Sequence, residues 1–132
     1  MKDEISRAIA VCNASRNKTS SARAYDALLW AVGNNHAGTY TASVLDLLPP
    51  VQEVLDHGQP WSRHAALEAL IDLYGSFEPE LDCLIHDGED LTSLVRQCIA
   101  SMHASIEAVA SAPGVASLSA QELLELIHET AA

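Results

Sequence analysis

Apolar side chains recur along this chain at helical rather than alternating spacing. Ile5, Ile9 and Cys12 fall roughly on one face of residues 1–12, and Asp3 and Glu4 stand at the end where a helix dipole favours acids. Residues 13–21 (NASRNKTSS) are polar and basic, and read as a loop ending in a serine N-cap. Tyr25, Leu28, Leu29 and Val32 follow i, i+3, i+4, i+7 and predict a helix over 22–32. Gly33 is its C′ residue, and the loop Asn34–Thr39 follows. Val44, Leu47, Leu48, Val51 and Leu55 make one stripe over 41–57, which Pro49-Pro50 should kink or split before Gly58 closes it. Pro60 suits the start of a helix over 61–75, with Ser62 as its cap. Ala66, Leu67, Ala69, Leu70, Ile71, Leu73 and Tyr74 cover more than one face, so that helix is expected to be buried on two sides. Residues 76–90 are acidic, with one short helical turn expected at Leu81, Cys83, Leu84 and Ile85. Asp90 then caps a long helix to about Ala110, striped by Leu91, Leu94, Val95, Cys98, Ile99, Met102, Ile106 and Val109. Residues 111–118 (SAPGVASL) read as a linker, and Ser119 with Glu122 as the capping box of a last helix carrying Leu123, Leu126 and Ile127. No segment reads as a strand.

Five to seven helices with short connections define an all-α chain of one domain over residues 1–132, with an N-terminal helix and basic loop in 1–20. A doubly buried helix among helix pairs fits a short α-solenoid or a compact bundle. The helices at 41 and 61 start one helical-hairpin half apart, although longer repetition at 40–47 residues is weak. Composition agrees: 48% of residues are hydrophobic but only 5% aromatic, which favours helices over a β-sandwich. Three cysteines without CxxC spacing argue against a disulfide framework. No signal-peptide core and no apolar run near 18 residues are present, so a cytoplasmic protein is expected.

Charge changes the picture more than composition does. Residues 1–23 hold five basic side chains (Lys2, Arg7, Arg16, Lys18, Arg23) against two acids, whereas residues 24–132 hold two (Arg63, Arg96) against sixteen. Between Arg63 and Arg96 lie eight acids and no base. Such a body repels nucleic acid and anionic membranes and attracts basic surfaces. The candidate partner-binding residues are therefore Asp72, Glu78, Glu80, Asp82, Asp87, Glu89 and Asp90, with Trp61 beside Arg63 as an aromatic anchor at their edge.

Candidate chemistry is thin by comparison. No GxSxG elbow, P-loop, GxGxxG fingerprint or HExxH pair occurs. Cys12, Cys83 and Cys98 sit in apolar patterns, as core cysteines do. His86 with Asp87 and Glu89 is a conceivable metal set, but adjacent loop residues rarely converge on one ion. No catalytic, cofactor or metal residue is assigned. The loop Gly33–Tyr40 suits a tight corner, and its alternative reading makes Asn35 and His36 ligand contacts of an enzyme or small-ligand protein.

Three motifs, Gly33–Tyr40, Pro60-Trp61-Ser62-Arg63 and the run Leu70 to Glu80, resemble in order a group of small bacterial proteins with HEAT-like helical repeats. The resemblance covers roughly residues 22–80. It implies a short HEAT-like stack. Some small acidic proteins of this kind are immunity partners of secreted polymorphic toxins, so it also implies a non-enzymatic protein that masks a basic toxin domain. The competing expectation is a general acidic scaffold or DNA-mimic inhibitor.

Overall fold

The computed structural model describes residues 2–131. The apolar stripes become seven α-helices among these residues: α1 (Lys2–Asn13), α2 (Lys18–Trp30), α3 (Val44–His57), α4 (Pro60–Gly75), α5 (Leu91–Ala100), α6 (His103–Ser111) and α7 (Ser117–Ala131). Helical hairpins α1/α2, α3/α4 and α6/α7 stack side by side, with α5 leading into the third. Side-chain ties give the directions. Ser21 of α2 meets His64 of α4 and Tyr25 meets Asp72, while Glu68 of α4 meets Ser119 of α7 and Tyr74 meets Thr130. So α2, α4 and α7 run parallel in one layer, and α3 packs on α1, α5 and α6 in the other. This two-layer all-α stack is the arrangement of a short α-solenoid. Central α4 buries Ala65, Ala66, Leu67, Ala69, Leu70, Leu73 and Tyr74, because α2 and α7 flank it and α3 lies across it. Its wide apolar arc has that cause.

Several local expectations change. The second helix starts at Lys18 rather than 22. Its cap is Asn17, whose side chain accepts from Ser20 N–H at 2.9 Å while the Ser20 hydroxyl answers to the Asn17 backbone. Helix α3 passes unbroken through Pro49 and Pro50. Each proline forfeits an N–H bond, but buried Val44, Leu47, Leu48, Val51, Val54 and Leu55 span both sites, and their packing offsets that loss. Gln59, not Ser62, stands at the α4 N-cap, and Ser62 is fully buried. The long helix expected from Asp90 to Ala110 breaks at Ser101-Met102, where a turn keeps Ile99, Met102 and Ile106 all buried. No glycine or proline marks that break. Ser119 lies inside α7 and bonds Glu68 at 2.9 Å, so the expected capping box with Glu122 is not formed.

Five two-residue strands appear where none was expected. Strands β1 (Gly33–Asn34) and β2 (Thr39–Tyr40) form an antiparallel hairpin, and β3 (Glu78–Pro79) joins β2 in parallel. Strands β4 (Ile85–His86) and β5 (Glu89–Asp90) form a second hairpin. Two-residue strands cannot display an alternation, so the sequence pattern conceals them. Gly33 is required by β1: a β-carbon there would stand 2.2 Å from the Thr39 carbonyl oxygen.

The thiol of Cys12 is buried where α1 meets α4 and donates to the Ser62 carbonyl at 3.4 Å. Burial pushes its pKa up to about 12 from an ordinary 9. A thiol held protonated in the fold and free to ionise in the unfolded chain stabilises the fold below pH 9, and that contribution is lost between about pH 9 and 12. Urea midpoints should therefore fall over that window in the parent protein and fall less in Cys12→Ala; parallel declines in the two would show that Cys12 is not the cause.

Candidate functional site: an acidic arm with an apolar tip

All of the acidic segment sits at one end of the stack. Helix α4 ends as Ser76 and Phe77 donate their N–H groups to the Asp72 carbonyl, at 3.1 and 2.8 Å. The chain then enters β3, held by Glu78 N–H to Gly38 O (3.0 Å) and Glu80 N–H to Tyr40 O (2.8 Å). A single 3₁₀ turn, Leu81–Cys83, leads into the β4–β5 hairpin. The hairpin turn is Asp87-Gly88 with φ of 50° and 79°. Two successive left-handed residues are the signature of a type I′ turn, for which Asp-Gly is a favoured pair. Leu91 N–H to Leu84 O (2.9 Å) closes the base of the arm, and the Asp90 carboxylate caps α5 by accepting from Ser93 N–H at 2.9 Å.

The short 78–90 arm has little room to bury side chains. Leu81 is 89% exposed, Ile85 64% and Leu84 46%. Around them Glu78, Asp82, Asp87, Glu89 and Asp90 are exposed and Glu80 is half-buried. Among the described residues, the carboxylates with a basic side chain within 4 Å are Glu53 with His57, and Asp87 with His86 at 3.5 Å; no Lys or Arg pairs with an acid. The nearest arginine is already committed. Arg96 Nε donates to the Tyr74 carbonyl at 3.1 Å, and its guanidinium lies over the Tyr74 ring, 5.6 Å from the centroid. The arm thus joins exposed apolar side chains to a rim of carboxylates without Lys or Arg partners.

The structure brings together Glu78, Glu80, Asp82, Asp87, Glu89 and Asp90 but separates two other candidates from them. Asp72 is half-buried on α4 and its two oxygens are in use: one accepts from the Tyr25 hydroxyl and the other from Ser76 Oγ at 3.1 Å. Burial first, then that bond to Asp72, raise the Tyr25 pKa and hold the phenol protonated. Asp72 is a strut between α2 and α4. Trp61 stands at the start of α4, roughly 20 Å along the helix axis from the arm. There it meets His64 edge-on at 5.3 Å, and its carbonyl accepts from Ser21 Oγ at 3.0 Å.

Another tryptophan, which the sequence reading did not single out, does lie at the arm's end of the stack. Trp30 closes α2 and is 45% exposed, with His36 edge-on at 5.1 Å. It lines a groove of about 480 Å³ together with Glu4, Gly33, Asn34, Thr41, Ser43 and Glu80. Its sequence signal was its place off the Tyr25, Leu28, Leu29, Val32 stripe. Asn35 donates its amide to Asp26 at 3.1 Å and Asn34 Oδ1 accepts from Ala37 N–H at 3.0 Å, so this loop's polar groups largely close its own corner. Among the described residues no group of three His, Cys, Asp or Glu side chains is placed to hold a metal ion, and no helix is long and apolar enough to cross a membrane. Cys12 is buried and Cys83 half-buried, but Cys98 is exposed: the α5 stripe runs through Leu91, Val95 and Ile99 and leaves it outside.

Searches found no matching protein-family model, curated protein or solved structure for this chain.

Proposed function

We propose that this protein is a non-enzymatic binding protein that docks a basic protein partner on the 78–90 arm, and that the partner is a bacterial toxin domain which it neutralises as an immunity protein. The observation that carries the docking reading is the exposed Leu81, Leu84 and Ile85 inside a rim of carboxylates without Lys or Arg partners. Apolar surface supplies the attraction at contact, and the unpaired acids select a positively charged surface and speed its arrival. Toxins that act on nucleic acid carry positive clefts for phosphate, and a narrow acidic arm suits such a cleft. The toxin assignment itself comes from the resemblance of residues 22–80 to small HEAT-like proteins. A cytoplasmic location belongs to the same proposal, since an immunity protein must meet its toxin inside the cell.

The test is co-expression with the protein encoded by the neighbouring gene. Relief of a growth arrest caused by that gene, with a one-to-one complex that survives about 0.3 M salt, supports immunity. A neighbour that arrests growth equally with and without this protein would sink it. A second reading as a DNA mimic predicts competition with DNA for many unrelated basic proteins; the apolar tip favours one shaped partner instead.

A further inference from the structure

Beside the arm, the groove under Trp30 carries acids without a base. Glu4 of α1 and Glu80 of the arm both line it, and no Lys or Arg does. Glu80 makes only a long contact, accepting from Thr39 Oγ1 at 3.4 Å. Two hydroxyls add to the floor. Thr41 Oγ1 lies 3.2 Å from the Val32 carbonyl oxygen and shares a 2.7 Å hydrogen bond with Ser43 Oγ. Both hydroxyls are engaged within the protein, so the acceptors left for an occupant are the Glu4 and Glu80 carboxylates. The wall is the indole of Trp30, steadied by the His36 ring set at 80° to it. Two carboxylates and a half-exposed indole together call for a flat cation rich in donors.

We infer that this groove is a binding site for a guanidinium group, filled by an arginine side chain that the basic partner presents beside the arm. Guanidinium fits better than ammonium because it stacks on an aromatic face while its donors reach carboxylates in its own plane. The inference builds on the reading that the partner is basic, and it adds a particular residue type and a particular place. It gives Trp30 a reason to be exposed at the end of a helix whose other large apolar side chains are wholly or partly covered.

The experiment uses hexa-arginine as the probe, with the full chain carrying Trp61→Phe so that Trp30 is the one indole. A saturable change in Trp30 fluorescence is expected. Glu4→Gln with Glu80→Gln should weaken it about tenfold or more, and hexa-lysine should bind more weakly than hexa-arginine. The indole N–H NMR signal of Trp30 in the unaltered protein, assigned from Trp30→Phe, gives the same readout if Trp61→Phe folds poorly. An unsaturable response, or equal binding by the Glu4→Gln, Glu80→Gln protein, would overturn the site. Failure here is separable from failure of the immunity reading. A toxin complex lost on reversing the arm charges but untouched by Glu4→Gln, Glu80→Gln and Trp30→Leu together would remove the groove and leave immunity standing. Hexa-arginine binding that depends on Glu4 and Glu80, with no growth rescue, would uphold the groove and remove only immunity.

Discussion

Replacing Glu78, Asp82, Asp87 and Glu89 by lysine should slow association with a basic partner by about 10- to 1,000-fold at low salt. All four side chains are exposed, and none supports the fold through a bond to another element: Asp82 reaches only the neighbouring Cys83 thiol, at 3.5 Å, and Asp87 only His86. The reversed arm should therefore keep its circular dichroism spectrum. Stopped-flow mixing would read the effect, and the gap between parent and variant should narrow as salt shortens the Debye length from about 10 Å at 0.1 M to about 3 Å at 1 M. The apolar tip should separate from the charges in the same experiment. Leu81→Ser with Ile85→Ser should leave the association rate nearly intact and raise the dissociation rate, because contact burial acts after encounter. An association rate indifferent to the four reversals would place the interface elsewhere.

The helices were legible because burial imposes a period on them. The α4 stripe predicted a helix covered on two sides, and α2 and α7 are what cover it. What escaped was set by contacts of no period. Strand β3 forms because Glu78 and Glu80 reach the Gly38 and Tyr40 carbonyls across some forty residues of sequence, a pairing no local window contains. The Asp87-Gly88 turn was readable in principle, since Asp-Gly is a hairpin signal, but its flanking strands are too short to alternate. At the candidate site, charge counting found the six acids of the arm, since unpaired charge is a property of composition. It did not separate Asp72, because only the fold brings Tyr25 and Ser76 to that carboxylate. Trp61 stands beside Arg63 at the edge of the acidic run in sequence, whereas helix α4 carries it to the far end of the stack. Leu81, Leu84 and Ile85 are apolar but exposed. Their exposure follows from the arm having no second layer to cover it.

The same layering makes α4 the place where one substitution should cost most. Leu70 is fully buried on the helix that α2, α3, α5 and α7 all touch. Leu70→Ala removes apolar area and leaves a cavity that four packed neighbours cannot easily close, so a loss of about 2–5 kcal/mol is expected. Against a total stability on the order of 5–15 kcal/mol, that is a large share. Ile127, at 8% exposure near the end of the outermost helix, offers the contrast. Its truncation opens a site that α7 can relax into by fraying, so the cost should be smaller and confined to one side. Urea unfolding followed by circular dichroism and by tryptophan fluorescence would distinguish the two. Leu70→Ala should move both transitions together, because α4 joins all three hairpins into one cooperative unit, whereas Ile127→Ala should move the helical signal first. A Leu70→Ala shift under about 1 kcal/mol would mean that α4 is not the packed centre of the stack.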